Sequence, residues 1–171
     1  VAQPCFIGPA NRPLFSWHHA PPSHARRGAG IVLCPALGYE YMSAFRTWKV
    51  LAGRLAALGF DTLRFDYDGM GDSGGDATDP DRVAAWLRSI AVAIAELRQL
   101  SGSDTVALVG LRAGGMLALQ AAAAAGGVDR LVLWSSPPSG RAFVREIKAV
   151  VRLSARDDDN DAGDDGAINA E

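Results

Sequence analysis

The segment Val106-Ala107-Leu108-Val109-Gly110-Leu111-Arg112-Ala113-Gly114-Gly115 constrains this chain more than any other. An apolar run passes, with no loop between, into a helical stretch of small residues, and glycines stand on both sides of Arg112. So abrupt a strand-to-helix turn demands glycine, because a Cβ would strike the neighbouring strand or helix. Its central residue is held in a strained backbone conformation, with the side chain projected over the C-terminal edge of a sheet.

The surrounding pattern supplies that sheet. Residues 31–35, 62–67, 105–111 and 131–135 are nearly continuous in Val, Ile, Leu and aromatics, the signature of strands buried on both faces. Segments of helical period separate them. Residues 44–58 place Phe45, Trp48, Leu51, Leu55 and Leu58 on one face, ending at Gly59. A second helix is expected to open with Asp79 as N-cap and Pro80 at its first position, with Val83, Trp86 or Leu87, Ile90, Ile94 and Leu97 facing inward. The third, 113–125, is alanine-rich and can lie close to a sheet, and Gly126-Gly127 stops it. These apolar stripes read as core. Upstream, 6–8 and 14–20 flank the turn-rich 9–13, which predicts an antiparallel hairpin leading into the sheet. The class is α/β, a mostly parallel sheet with flanking helices.

With 171 residues, 49% hydrophobic and 21% charged, the chain holds enough apolar material for one core. The expected organisation is one domain over 1–153 and an acidic segment over 154–171. Residues before 157 hold 17 bases against 12 acids; those from 157 onward hold seven acids and no base, and such a self-repelling run favours disorder. It lacks the spacing of a helix-loop-helix calcium site. Cys5 and Cys34 form no CxxC pair, His18 and His19 point to opposite faces of a strand, and no metal site or cofactor is expected. The absence of a long apolar run or a leader pattern argues against a membrane span and for a cytoplasmic setting. The arginines are scattered and form no stripe, which argues against nucleic acid as a partner.

The Gly110-x-Arg112-x-Gly114 turn resembles the nucleophile elbow of α/β-hydrolases of the serine aminopeptidase and exosortase-system-associated type. Leu63-Arg64-Phe65-Asp66-Tyr67-Asp68-Gly69-Met70-Gly71-Asp72-Ser73-Gly74 is similar to the loop that follows their fourth strand. The stretch Cys34-Pro35-Ala36-Leu37-Gly38-Tyr39-Glu40-Tyr41 takes the place of their oxyanion loop, and Leu133-Trp134 through Ser139-Gly140-Arg141 resembles the turn after their sixth strand. The likeness covers residues 5 to 153. It implies an α/β-hydrolase-like sheet that stops before strands 7 and 8, as in a truncated product, a fragment, or half of a split protein.

The resemblance implies acyl ester or amide hydrolysis, which needs a nucleophile, a base, an orienting acid and oxyanion donors. The elbow glycines Gly110, Gly114 and Gly115 are present, and backbone N–H groups of Ala113 with Ala36 or Leu37 are candidate oxyanion donors. Arg112 cannot attack, because a protonated guanidinium has no lone pair to give. In this fold the histidine follows the elbow, and no histidine follows His24. Cys34 reads as a small buried hydrophobe, Ser73 as a local hydrogen-bonder, and Ser135 and Ser136 have no base beside them in sequence.

Three readings follow. The first is hydrolase lineage with an incomplete triad in this chain. The second is a non-catalytic anion-binding or scaffold module linked to polysaccharide export, with a small acyl or anionic ligand at Arg112 or a second chain completing the sheet edge. Nucleic-acid binding ranks last. A structural role for Arg112 is also expected, through pairing with Asp66, Asp68 or Asp72.

Overall fold

The computed structural model describes the backbone of residues 2–103 and 105–164, and side chains through residue 153 except Ala125. The sheet runs in the order β1-β2-β4-β3-β5-β6, with β1 (Ala2–Ile7), β2 (Leu14–His19), β3 (Ala29–Cys34), β4 (Asp61–Phe65), β5 (Thr105–Leu111) and β6 (Arg130–Trp134). The first two strands form the expected hairpin, and β2 continues antiparallel onto β4. The other four are parallel, joined by α1 (Tyr39–Ala57), α2 (Arg82–Ser101) and α3 (Ala113–Ala125). Because β3 lies between β4 and β5, the strand order reverses there. The C-terminal ends of β3 and β5 flank the crevice where open α/β sheets place their ligands.

The chain divides into two compact units, Val1–Ser136 and Pro137–Glu171. The first holds the sheet and α1 to α3. The second holds α4 (Gly140–Asp164), which starts where Ser139 accepts the N–H of Ala142 through its hydroxyl at 3.2 Å and that of Phe143 through its carbonyl at 3.0 Å. The helical backbone continues into the acidic segment, and residues 165–171 lie outside the described residues.

Strand periodicity sorts side chains onto two faces. On one, Val32, Leu63, Phe65, Val106 and Leu108 pack against Ile90, Ile94 and Leu97 of α2 and Leu117, Ala118 and Ala121 of α3. The alanines allow α3 its close approach. On the other, Ile31 and Leu33 meet Trp48 and Ala52 of α1 in a smaller cluster, with Ala107, Val109 and Leu111 only partly buried.

Four local readings need correction. The first helix starts at Tyr39, ahead of residue 44, with Gly38 (φ 60°) as its N-cap. Tyr39 and Met42 are exposed, so the first turn carries no apolar signal. Within its stripe, Trp48 is buried, but Phe45 and Leu58 are exposed, because Phe45 lies at the rim over the Arg64 guanidinium, 5.3 Å from its ring centroid, and Leu58 caps the helix. Helix α2 begins at Arg82, with Asp81 rather than Asp79 as N-cap; Asp79 accepts the Asp76 N–H at 3.0 Å and pairs with Arg12, and Val83 is exposed. Finally, β6 is not buried on both faces. It is the last strand of the sheet, and Val132, Leu133 and Trp134 are about half exposed.

Candidate functional site

At the end of β5 the backbone turns on Arg112, whose φ of 53° and ψ of −122° lie where side chains are rarely tolerated. Its N–H donates to the Trp134 carbonyl at 2.9 Å, and its carbonyl accepts the Gly115 N–H at 3.0 Å. The glycines are required by contact. A Cβ on Gly110 would come within 2.4 Å of the Gly115 Cα, one on Gly114 within 2.1 Å of the Pro35 carbonyl oxygen, and one on Gly115 within 1.7 Å of the Ser136 hydroxyl. The start of α3 is thereby pressed against the loop leaving β3. That brings Ala113, in the first turn of α3, close to the stretch holding Ala36, which is buried, and Leu37, which packs against the core.

The Arg112 side chain does not pair with the acidic loop. Its Nε donates to Glu40 Oε1 at 2.7 Å and its Nη1 to the Ser135 carbonyl at 3.0 Å. Glu40 sits in the first turn of α1, the end of a helix that favours a carboxylate. The three aspartates are placed or engaged elsewhere. Asp66 accepts the Tyr41 hydroxyl at 2.6 Å and the Asp72 N–H at 3.2 Å, and Asp72 is exposed. Asp68 is clamped between Arg12 and Arg82, and Arg12 foremost holds its carboxyl down at about 2. Glu40 stands in the stretch likened to the oxyanion loop, but its pairing with Arg112 is hidden from the sequence when the helix start is placed at residue 44. The signal was there in Gly38, an acceptable N-cap residue two positions before an acid.

The other nucleophile candidates are Cys34, Ser73, Ser135 and Ser136; Ser135 is exposed and gives its carbonyl to Arg112 Nη1. Cys34 is fully buried, and burial pushes its thiol far above the usual range. Ser73 donates to the Asp66 carbonyl at 2.7 Å and accepts the Phe15 N–H at 2.9 Å, so it ties the loop to β2. Ser136 is buried against Gly115. Of the histidines, His18 pairs with Asp61 at 3.1 Å, His19 accepts from Arg64 Nε at 3.2 Å, and His24 is exposed. His18 and His19 lie on β2, separated from β5 by β4 and β3, and so away from the elbow. Among the described residues no group of three His, Cys, Asp or Glu side chains is placed to hold a metal.

A parallel sheet whose order reverses beside a glycine-bounded strand-to-helix elbow defines an α/β-hydrolase fold. Residues 25–156 match the family described as serine aminopeptidase, S33, and the chain belongs to that family. No curated protein matches it. Among solved structures it is similar to an α/β serine hydrolase without lid from Xanthomonas campestris, with 23% identity, 82% of this chain and 63% of that one covered, and a TM-score of 0.68. An α-β serine hydrolase homologue from Coxiella burnetii shares 19% identity over 83% of this chain and 66% of its own, with a TM-score of 0.65. An esterase from Pyrococcus furiosus shares 17% identity over 80% and 50%, with a TM-score of 0.64. At these identities the likeness is one of fold, and the chain spans less than two thirds of each of these structures. No helix among the described residues is long and apolar enough to cross a membrane.

Proposed function

We propose that residues 1–171 carry the elbow half of an acyl-binding α/β-hydrolase site in which Arg112 recognises an anionic group instead of attacking an acyl carbon. The observation that carries this reading is the Arg112 guanidinium at the centre of the elbow, donating to Glu40 at 2.7 Å and to the Ser135 carbonyl at 3.0 Å. A guanidinium offers five donors and no lone pair, so it can bind a carboxylate or phosphate but cannot form an acyl-enzyme. Both side chains of the pair are about one quarter exposed, which lets an incoming anion compete with Glu40. The N–H groups of Ala113 and of Ala36 or Leu37 would then face the same oxygen.

Release of p-nitrophenol from acetyl and butyryl esters tests the catalytic side. The chain is expected to show no rate above buffer, and Arg112→Ser is expected to stay inactive, because a serine alone has no histidine to take its proton. Turnover by that variant overturns the reading. Calorimetry with acetate and inorganic phosphate tests the binding side: Arg112→Ala should abolish any heat of binding, and unchanged affinity removes Arg112 from the site. A second reading, strand addition by another chain at β6, is favoured by the exposed Val132, Leu133 and Trp134 on that edge.

A further inference from the structure

Within α1, Lys49, Gly53, Ala56 and Ala57 follow one another at helical spacing and so share one stripe. Together with His19 and Ala20, at the end of β2, that stripe lines a groove of about 400 Å³. His19 pairs with Thr62, near the start of β4, so the groove lies toward the N-terminal edge of the parallel strands, the edge opposite the elbow.

Its floor is low for no reason internal to the protein. Gly53 is exposed in the middle of α1, where glycine destabilises a helix relative to alanine. A Cβ there would meet no atom within 4 Å, and the backbone is not left-handed, so neither sterics nor conformation calls for glycine. What the missing side chain does is keep the groove open beside the methyl groups of Ala20, Ala56 and Ala57.

Two polar groups border this apolar floor. His19 is 5% exposed, and its Nε2 accepts from Arg64 Nε at 3.2 Å. A guanidinium can only donate, so the proton of the neutral ring sits on Nδ1. Burial, with the positive charge of Arg64 next, pushes the His19 pKa down to about 4, which keeps the ring neutral near pH 7. Among the described residues no acceptor meets the Nδ1–H, and protein does not wall it in, so it opens onto the groove that His19 lines. Lys49 is exposed and enters no ion pair or hydrogen bond among the described residues. Its charge lies near enough to oppose the ionisation of His19. No carboxylate lines the groove.

Water can serve both donors but gains nothing from a floor of methyl groups. Two donor groups match the two oxygens of a carboxylate, whereas a third phosphate oxygen would face alanines with no donor to meet it. We propose that this groove is a second binding site, separate from the elbow, for a monocarboxylate with a compact hydrocarbon body. One oxygen accepts from the Lys49 ammonium and the other from the His19 Nδ1–H, and the hydrocarbon lies over Gly53 between the alanines.

Calorimetric titration of benzoate into Arg112→Ala, in which the elbow has lost its guanidinium, tests the site, with the His19 ring signals in NMR as a second readout. Saturable binding that moves those signals is expected. Benzyl alcohol, the uncharged counterpart, and acetate, which has only a methyl group to bury, should bind too weakly to measure. Added to this background, Lys49→Met keeps the stem and removes the charge, and should weaken benzoate binding at least about tenfold. Gly53→Leu should fill the groove and abolish binding without lowering the melting temperature, since its Cβ meets no atom and the helix loses a glycine. Absence of benzoate binding overturns the proposal, as does full affinity in either variant or equal binding of benzyl alcohol. Acetate and phosphate report on the elbow and benzoate in Arg112→Ala on the groove, so the two sites can fail separately.

Discussion

On the face of the sheet covered by α2 and α3, Val32, Leu63, Ile90, Leu97, Val106 and Leu108 are all fully buried, and alanines at 118 and 121 bring α3 close. On the face covered by α1, full burial is confined to a few residues around Leu33, and a buried arginine, a neutral histidine and a small cavity take the remaining space. The same strands serve both faces, alternating residue by residue. The dense face holds the fold together. The other bears buried polar groups and is less closely packed.

The comparison is sharpest in truncations of neighbouring β5 residues. Leu108→Ala, on the dense face, should lose about 2–5 kcal/mol in urea unfolding, the range for large-to-small changes in a close-packed core. Leu111→Ala, on the α1 face and only partly buried, should lose less than half as much. Equal losses would mean that the two faces are packed alike.

Acid should separate the faces in two pH windows. His19 binds a proton near 6.5 when unfolded but only near 4 in the folded protein, because burial and the Arg64 charge oppose its ionisation. Its contribution is therefore whole above pH 6.5 and is lost as the pH falls to 4, about 3 kcal/mol in unfolding free energy. Replacing it with glutamine should flatten that window. Asp68 behaves as a depressed carboxylate. Its stabilisation is whole above 3.8 and is lost as the pH falls to about 2, and Asp68→Asn should remove ~1–2 kcal/mol at neutral pH. A single transition covering both windows would argue against independent contributions from β2 and the 66–76 loop.

The smallest effect is expected at the elbow. Glu40→Gln should cost under about 1 kcal/mol, since an ion pair with this much exposure is worth little to stability. Its larger consequence should be in binding, where removing the competing negative charge beside Arg112 is expected to strengthen acetate affinity in calorimetry. Weaker binding would make Glu40 part of the ligand site instead of a competitor.

How far the sequence could be read depended on whether the deciding interactions were local. The bounds of β5 and α3 were legible to the residue, because Gly110, Gly114 and Gly126 punctuate them and each glycine answers to a nearby clash or a left-handed φ. The start of α1 was not, since Tyr39 and Met42 face outward and leave no periodic trace. Missing that turn also hid the pairing of Glu40, which lies 72 positions from the guanidinium it holds. Asp79 misled for a related reason. It has the chemistry of an N-cap, but Arg12, far upstream, occupies it.

By itself, then, the amino-acid order determined the α/β class, the hairpin and the elbow with Arg112 at its centre, because strand period, helix period and glycine sterics act over a few residues. Only the tertiary structure decided which carboxylate meets Arg112, that Arg64 is buried between Trp17 and Phe45, and that β6 is an exposed edge. Those outcomes rest on distances between segments far apart in the chain. Charge pairing, cavity formation and edge exposure are properties of such distances.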